Sequence, residues 1–396
     1  MTAGRGRVHM TLRLPDRTGA AKMALAFAQA LHADRFDVTL VHGTVPASEP
    51  SILPDFAQLG AETVLEPRLE RPWDPLLVRA VADRVRSEGG VCVIGVNQRD
   101  RMLALLAASR AGVPGVVVVG NQHRFWGSRP VAALKRLSYT RVVARHTTLA
   151  VCTSAVVRDE LIAFGVPAER AVVLANGIDA PPSLQLPAGE RRRLRAEMGA
   201  GDDDVLLLNV GRLDPQKGQD LLLTALGGQG WAAPVHVALV GSSGDPVAAR
   251  ATTAFEASLR RQADALGLEG VVSFLGWRSD VRQLLAAADG YVHAARWEGP
   301  ALPLAVMEAM AAGLPTVFTD CSGMPPVFEE GRHGLVARSE DPESLAGRIG
   351  DLVALGAHRR ADMGAEAAAL IRTHYRMADV GQTFCRLIQG VVARRG

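Results

Sequence analysis

The stretch DVLLLNVGRLDPQKGQDLLLTAL, residues 204–226, is the part of the chain that decides the fold. It opens with a short run that is apolar at nearly every position, turns at a glycine and a proline, and closes with an apolar segment of helical spacing. An apolar run bounded by turn residues is typical of a strand in a parallel sheet, because such a strand is buried on both faces. The stretch therefore predicts a strand, a tight turn and a helix, with Arg212 at the strand end and Lys217 at the helix start.

The same alternation of apolar runs and helical segments extends along most of the chain. Helical segments such as 20–33, 101–112 and 221–226 lie between the apolar runs. This order predicts an α/β fold in which helices cover both faces of parallel sheets. The runs predicted as strands are 8–14, 36–43, 91–96, 115–121 and 149–154 in the first half, and 204–211, 236–241, 271–276, 290–295 and 315–320 in the second.

The length of 396 residues exceeds what one hydrophobic core usually supports, which predicts two domains. The Pro-rich, charged segment 179–204 suits a boundary near residue 180 better than a core element. We therefore expect an N-terminal domain over 1–180 and a C-terminal domain over 181–377, with a last helix at 378–396 that packs back on the first domain. Two doubly wound sheets facing each other would place their ligand sites in a shared cleft at the strand ends.

The composition excludes several classes of protein. With 48% hydrophobic and 21% charged residues, the chain is typical of a packed globular protein. A formal charge of +3 gives no argument for nucleic acid, and no segment has the apolar length of a transmembrane helix. The N-terminus lacks the apolar segment of a secretory signal, so we expect a cytoplasmic protein. The four cysteines are widely separated, which favours buried free thiols over a zinc site or disulfides.

The loops after the predicted strands carry cations rather than dinucleotide motifs. Neither GxGxxG nor GxxxxGK[ST] follows any of these strands, which argues against a dehydrogenase and a P-loop enzyme. Lys22 and Lys217 each fall at the start of a predicted helix. A cation there opposes the helix dipole, so local stability does not explain Lys217. A bound diphosphate would explain it, because Arg212, Lys217 and the helix amides could share its oxygens. A solvated surface turn is the alternative.

The segment WEGPALPLAVMEAMAAGLP, residues 297–315, adds two carboxylates. Pro303 occupies a first-turn position and Gly-Leu-Pro ends the segment, which predicts a helix that carries Glu308, with Glu298 in the loop before it. Helix side chains lean toward the N-terminus, so Glu308 would lie over the first turn. A carboxylate is also stable at that position without a ligand. Beside the basic turn, however, the two carboxylates would accept hydroxyls while the cations bind phosphates, and a nucleotide sugar has both groups.

These motifs resemble, in order along the chain, those of the retaining glycosyltransferases of family 4, which have the GT-B fold. The match to residues 209–226 is close and continues through 274–320, and residues 153–179 resemble the end of that family's first domain. The resemblance covers nearly the whole chain. It implies a cofactor-independent hexosyltransferase that moves a sugar from a nucleotide sugar, with UDP the most frequent nucleotide. The acceptor would be a hydroxyl of a glycan, of a lipid-linked molecule or of a natural product.

The resemblance also implies roles for individual residues. Arg212 and Lys217 would bind the donor diphosphate and stabilise the charge that develops on it. Glu308 would accept hydrogen bonds from the ribose, and Glu298 would hold hydroxyls of the transferred sugar. His123 falls where the family has a histidine near the reacting carbon, with a structural loop histidine as the alternative. The remaining implied residues are Gly19, Trp277, Arg278, Gly299, Leu302 and Pro303 on the donor side, and Lys22, Asn97 and Arg124, together with His123, on the acceptor side.

The mechanism implied by the family retains the anomeric configuration, and the leaving phosphate takes the acceptor proton, so no protein nucleophile is required. The acidic run 201–205 is predicted to be a solvated segment rather than a metal site, and we expect no catalytic metal. The chain departs from the family at three places, one of which is Thr148, where an aspartate is common. Nine residues separate Glu298 from Glu308 where the family usually has seven, and the loop 18–22 reads TGAAK where many members have GGAER.

The acceptor side is marked by charge. No acidic residue lies between Asp100 and Asp159, whereas nine basic residues do. We expect this basic 101–158 surface to contact anionic lipid, as a peripheral site on the inner face of a membrane, or to hold an anionic soluble acceptor. A solvated arginine-rich helix is the alternative. Two further functions stay open, a GT-B nucleotide-sugar epimerase or phosphorylase and a non-catalytic nucleotide-sugar-binding protein. No nucleic-acid partner is expected, because no binding motif accompanies the charge.

Overall fold

The computed structural model describes residues 6–16, 19–45, 51–70, 74–96, 98–123, 125, 128–179, 184–242 and 249–394. The chain divides into two compact units. The first unit comprises Met1–Gly177 together with Met377–Gly396, and the second comprises Ile178–Arg376. The division at Gly177 lies close to the boundary predicted near residue 180.

The first unit is built on a seven-stranded parallel sheet with the order β3-β2-β1-β4-β5-β6-β7. Its strands are β1 (Arg7–Leu12), β2 (Asp37–His42), β3 (Glu62–Leu65), β4 (Gly90–Gly95), β5 (Gly115–Val119), β6 (Leu149–Cys152) and β7 (Ala171–Val173). Its helices are α1 (Gly19–Ala33), α2 (Leu53–Gln58), α3 (Pro75–Ser87), α4 (Gln98–Ala111), α5 (Arg129–His146), α6 (Ala155–Ala163) and α14 (Met377–Ala393). Short 3-10 turns occupy Pro67–Glu70 and Ala168–Arg170.

The second unit is built on a six-stranded parallel sheet with the order β10-β9-β8-β11-β12-β13. Its strands are β8 (Val205–Val210), β9 (Val235–Val240), β10 (Val272–Gly276), β11 (Gly290–His293), β12 (Thr316–Thr319) and β13 (Leu335–Ala337). Its helices are α7 (Ala188–Glu197), α8 (Gln219–Leu226), α9 (Ala249–Ala265), α10 (Val281–Ala287), α11 (Leu304–Ala311), α12 (Pro342–Ala354) and α13 (Gly356–His374). A 3-10 turn spans Pro215–Lys217.

The predicted α/β class, with two doubly wound parallel sheets, is confirmed. All ten predicted strands are present, and most are buried because helices cover the sheets. Strand β8, for example, is buried from Val205 to Asn209, whereas the edge strand β10 is half-buried along its length. The strands that the sequence did not predict are β3, β7 and β13. Each lies at a sheet edge and has only three or four residues. The strand β3 is also largely exposed, so no continuous apolar run marks it.

The charged segment 179–204 is more than a boundary, and that interpretation needs correction. Its helix α7 carries Arg195, which is only 1% exposed. The Arg195 guanidinium donates to Asp289 Oδ2 at 2.7 Å and to the carbonyl oxygens of Gly201 and Asp204 at 2.8 and 2.6 Å. The segment therefore begins the second unit and takes part in its core.

The C-terminal helix α14 belongs to the first unit. The ring of Phe384 in α14 stacks on Phe27 of α1 with ring centroids 4.0 Å apart, and both side chains are buried. The chain thus completes the first unit only after the whole second unit has been made.

Candidate functional site

The candidate site in the second unit lies where the strand order reverses. Strand β8 is followed along the chain by β9 on one side of the sheet, while β11 pairs with its other side. In open parallel sheets, ligands bind at the carboxyl ends of the strands at such a switch point. The loops after β8 and β11 carry Arg212, Lys217 and Glu298.

The turn after β8 has a conformation that only glycine satisfies. Asp214 caps the 3-10 turn, since its Oδ1 accepts from Gln216 N at 2.8 Å and its carbonyl oxygen accepts from Lys217 N at 2.8 Å. Gly218 follows with φ +65°, and a Cβ built on it would lie 2.0 Å from the carbonyl oxygen of Ala294. The turn therefore touches the end of β11, and this contact fixes where Lys217 emerges.

Two side chains that sequence reasoning missed hold this turn in place. Arg296 donates to both carboxylate oxygens of Asp220 at 2.8 and 2.6 Å and to the carbonyl oxygen of Pro215 at 2.8 Å. Gln219, which is fully buried, donates from Nε2 to the carbonyl oxygen of Arg212 at 2.8 Å. The paired Arg296 and Asp220 lie 76 residues apart, so no local pattern marks them.

Lys217 and Glu298 meet as an ion pair, and His293 completes the cluster. Lys217 Nζ donates to Glu298 Oε1, and His293 Nε2 lies 3.4 Å from the same oxygen. The Lys217 side chain is 18% exposed and that of Glu298 is 6% exposed. The nine-residue spacing between the two glutamates therefore leaves Glu298 beside Lys217. Sequence reasoning missed His293, which falls inside an apolar strand.

Charge explains the protonation states of the cluster. Burial by itself would raise the pKa of Glu298, but the charge of Lys217, together with hydrogen bonds from His293 and Lys217, lowers it to about 2. Burial lowers the pKa of His293, and the charge of Lys217 lowers it further against the opposing effect of Glu298. At pH 7 the carboxyl group of Glu298 is therefore ionised and the imidazole of His293 is neutral.

Arg212 is held more loosely than Lys217. Its Nη1 lies 3.5 Å from Asp214 Oδ2, and its side chain is 39% exposed. An ion pair of this length and exposure contributes little to stability. The guanidinium is therefore available to an anion at the end of β8.

The helix with the second glutamate begins one residue later than predicted. Pro303 is the cap position and the helix proper is α11, so Pro303 precedes the first turn. Gly299, Leu302 and Pro303 are buried in the loop that leads to it. Glu308 is half-buried, and its charge acts with that of Glu298 on the Tyr291 hydroxyl, whose pKa is raised chiefly by burial. Both glutamates are thus close enough to the Tyr291 hydroxyl for their charges to act on it.

The loop after β10 presents a tryptophan and a paired arginine. Trp277 is 64% exposed. Arg278 donates to both carboxylate oxygens of Asp280 at 2.7 and 2.6 Å and to Glu197 at 2.5 Å, and these partners raise its pKa. The guanidinium of Arg278 is therefore already occupied, which leaves the indole of Trp277 and the main chain for a ligand at this loop.

Two of the residues implied in the first unit, Gly19 for the phosphates and Lys22 for the acceptor, lie at the start of α1. Gly19 is the first residue of α1 rather than part of a preceding loop, and Lys22 is exposed in its first turn. Asn97 and Arg124 lie outside the described residues.

The structure places His123 in a buried polar network. His123 Nδ1 lies 2.7 Å from Glu160 Oε2, and its Nε2 lies 2.7 Å from the Tyr139 hydroxyl and 3.1 Å from Arg101 Nη1. The His123 side chain is completely buried, and Phe164 packs edge-on against its ring. Burial lowers the pKa of His123 against the opposing effect of the hydrogen bond that its ring donates to Glu160. Both ring nitrogens are engaged, so this geometry favours the structural alternative over a contact with substrate.

The acidic run 201–205 has local partners. Asp204 Oδ2 accepts from Gly201 N at 2.7 Å, while Asp202 and Asp203 are exposed. Among the described residues, no three His, Cys, Asp or Glu side chains are grouped so that they could hold a metal ion.

The basic 101–158 surface is smaller than the sequence suggested. Arg101 is buried in the His123 network, Arg136 stacks over the Phe164 ring at 5.5 Å, and Arg158 pairs with Asp159 at 2.7 Å. The exposed basic residues that remain among the described ones are Arg110 on α4 and those on the outward face of α5. Within the described ranges, no helix combines the length and apolar character needed to cross a membrane.

Two family models match the chain. The model described as "Glycosyltransferase Family 4" matches residues 17–180, and the model described as "Glycosyl transferases group 1" matches residues 190–369. The two matches follow one another and leave only short segments of the chain outside.

Two curated relatives are each 29% identical to this chain over the matched residues. The chain is 29% identical over 217 residues to mannosylfructose-phosphate synthase of Agrobacterium fabrum, a match that covers 53% of this chain and 46% of the relative. It is 29% identical over 305 residues to a GDP-mannose-dependent alpha-(1-6)-phosphatidylinositol monomannoside mannosyltransferase of Mycolicibacterium smegmatis, covering 73% of this chain and 74% of the relative. The chain thus spans about half the length of the first relative and about three quarters of the second.

Solved structures share the fold. The structure of Anabaena HepE in complex with UDP and glucose superimposes with a TM-score of 0.80 at 20% identity, covering 98% of this chain and 100% of HepE. At this level of identity the likeness establishes the architecture alone.

Proposed function

Because the chain belongs to the family 4 glycosyltransferases of GT-B fold, we propose that it transfers a sugar with retention of configuration from a UDP-sugar to a lipid-linked acceptor. The proposal needs a site for a diphosphate, a site for sugar hydroxyls and a surface for the acceptor. Each of these rests on different residues.

The observation that carries the donor side is the arrangement of charge at the ends of β8 and β11. Lys217 and Arg212 follow β8, and Glu298 follows β11 and contacts Lys217. The first amides of α11 have no side-chain cap. Two cations and uncapped amides suit the oxygens of a diphosphate, and carboxylates suit hydroxyls. One switch point therefore supplies partners for both halves of a nucleotide sugar.

In the proposed reaction, the bond between the anomeric carbon and the diphosphate oxygen breaks. The acceptor oxygen forms a bond to that carbon on the same face, and the acceptor proton passes to the leaving phosphate. Arg212 and Lys217 stabilise the negative charge that develops on the leaving group. Glu298, whose pKa is about 2, stays ionised and orients the sugar by accepting from its hydroxyls. The positive charge comes from protein side chains, so we expect turnover in the presence of EDTA.

The donor nucleotide is proposed as UDP because the HepE structure contains it. The mycolicibacterial relative is named for GDP-mannose, so GDP-sugars are the competing donors. The exposed indole of Trp277 offers a stacking face that either base could use.

The acceptor side rests on α5. Three large apolar side chains project from this helix within seven residues: Val131 is 45% exposed, Leu134 is 67% exposed and Leu137 is 47% exposed. Arg141 and Arg145 are exposed on the same helix, while Tyr139 and Val143 are its buried residues. A helix with exposed leucines among arginines suits the interface of an anionic membrane, whereas a small soluble anion has no use for the leucines. We therefore propose a peripheral membrane contact that brings the enzyme to a lipid-linked acceptor.

The donor proposal is tested by calorimetry without added metal against UDP-, GDP-, ADP- and dTDP-sugars, followed by detection of released nucleotide. Lys217→Met should abolish binding of the preferred donor, while Lys135→Met, a lysine change in the other unit, should leave it intact. Near-normal turnover of Lys217→Met would overturn the diphosphate assignment.

The membrane contact is tested by flotation with phosphatidylcholine vesicles with and without phosphatidylglycerol. Binding should require the anionic lipid and should be lost in Leu134→Ser/Leu137→Ser. Leu76→Ser, at a position 68% exposed on α3, serves as the matched control. Equal flotation of the double variant and the wild type would refute the α5 contact.

A further inference from the structure

Binding of the donor diphosphate by Lys217 requires that the ion pair between Lys217 and Glu298 be broken. Each group is the other's counter-ion, and the Glu298 side chain is only 6% exposed. The proposed function requires Lys217 to reach a diphosphate. When its ammonium turns toward the phosphates, it leaves behind a carboxylate that water barely reaches, and an uncompensated buried charge is strongly unfavourable.

The neighbours of Glu298 compensate for this loss only in part. His293 Nε2 lies 3.4 Å from Glu298 Oε1, which is a long hydrogen bond from a neutral ring. Ser322 donates to the backbone carbonyl of Glu298 at 2.6 Å, not to its carboxylate. The thiol of Cys321 is close enough for the charge of Glu298 to act on it, and burial together with that charge raises its pKa to about 11, so it stays a neutral thiol that cannot replace the charge of Lys217. Among the described residues, no second cation is paired with the Glu298 carboxylate.

An intact donor brings its own compensation. The sugar hydroxyls can donate to Glu298 at the moment when the diphosphate takes Lys217. A free nucleoside diphosphate also binds Lys217 through its phosphates, but it has no transferable sugar whose hydroxyls could donate to Glu298. Both ligands contain the diphosphate that Lys217 binds. Only the free nucleoside diphosphate leaves the Glu298 carboxylate without a sugar hydroxyl as hydrogen-bond donor.

We infer that Glu298 is a specificity-determining residue that makes the site favour the intact nucleotide sugar over its own nucleoside diphosphate product. The inference rests on the proposed donor function. After transfer, the sugar leaves on the acceptor and Glu298 loses its hydroxyl partners. The Lys217–Glu298 pair then re-forms, competes with the diphosphate for Lys217 and promotes release of the product.

The test compares the dissociation constants of UDP and UDP-glucose, and of GDP and GDP-mannose, in wild type, Glu298→Gln and Glu308→Gln. Calorimetry is done without metal, and circular dichroism establishes that each variant is folded. In Glu298→Gln no buried charge remains when Lys217 turns, so the nucleoside diphosphate should bind about tenfold more tightly, which is the scale of one unsatisfied buried group. The preference for the intact donor should shrink accordingly.

Glu308→Gln is the matched control, because its proposed partner is the ribose, which both ligands contain. Glu308→Gln should weaken binding of the nucleoside diphosphate and of the nucleotide sugar by similar factors, so the ratio of the two dissociation constants should not change. His293→Leu gives a second, opposite readout. Without the hydrogen bond from His293, the Glu298 carboxylate depends more on Lys217. Binding of the nucleoside diphosphate should therefore weaken more than binding of the nucleotide sugar.

The inference is overturned if Glu298→Gln binds the diphosphate no more tightly than wild type while the protein still binds nucleotide sugars. An unchanged ratio of the two affinities in His293→Leu would count against it in the same way. If no nucleotide of the panel binds to wild type at all, the proposed donor function fails and the inference falls with it. The two failures are therefore distinguishable.

Discussion

Replacing Lys217 by methionine tests the electrostatics of the site through stability, without any ligand. The pKa of Glu298 lies at about 2, against an ordinary value of 4.5. Each pKa unit corresponds to about 1.4 kcal/mol, so the folded protein favours the ionised carboxylate by about 3 kcal/mol. Lys217 is the largest of the contributions that lower this pKa. Removing it leaves a carboxylate on a side chain that is 6% exposed without its cation, and we expect a loss of about 3–5 kcal/mol in the free energy of unfolding at pH 7.

Companion variants separate the charge from the shape. Glu298→Gln should cost only about 1 kcal/mol, because Lys217 is partly exposed and can turn to water. The double variant Lys217→Met/Glu298→Gln should recover most of the stability lost in Lys217→Met, giving a large coupling energy. Urea unfolding followed by tryptophan fluorescence is a suitable assay, since Trp231, Trp277 and Trp297 all lie in the second unit.

The pH dependence gives an independent check. In wild type the pKa of Glu298 is lowered on folding, so its contribution is present above about pH 4.5 and is lost as the pH falls toward 2. In Lys217→Met burial dominates and raises this pKa, so the variant should lose stability as the pH rises and should come closest to wild type in acid. A Lys217→Met protein that unfolds at the wild-type urea concentration at every pH would refute the reasoning.

Three further predictions concern the scaffold. Gly218→Ala should lower the free energy of unfolding by more than 2 kcal/mol, because φ is +65° and a Cβ would meet a carbonyl oxygen at 2.0 Å; Gly228→Ala, with φ +71° and open space, should cost only about 1 kcal/mol in the same urea titration. Burial lowers the pKa of His123 below 6.5, so it opposes protonation in the folded state and stability should fall as the pH drops below that value; His123→Gln should flatten this part of the pH–stability curve. Phe384→Ala should cost about 3–5 kcal/mol in thermal unfolding, because the ring stacks on Phe27 in the core of the first unit; a loss below 1 kcal/mol would contradict the packing of α14.

The difference between predicted and observed elements follows the length and burial of each element. Of the ten predicted apolar runs, nine became interior strands and one became the edge strand β10, whereas the edge strands β3, β7 and β13 left no pattern to recognise. The charged segment 179–204 concealed a buried arginine, since Arg195 finds Asp289 94 residues further along the chain. Nothing in the local sequence distinguishes Arg195 from its exposed neighbour Arg192.

By itself, the sequence determined the α/β class, the positions of the main strands and the residue types at their ends, because apolar periodicity and turn residues act over short distances. It also placed Arg212 at a strand end and Glu298 in a loop. It predicted Lys217 at a helix start, whereas Lys217 ends the 3-10 turn that precedes α8. Only the tertiary structure decided which of these groups meet. Lys217 and Glu298 are 81 residues apart and become partners because β8 and β11 are neighbours at the switch point. The same folding buries His123 among Arg101, Tyr139 and Glu160, since long-range packing, not local pattern, sets the surroundings of a side chain.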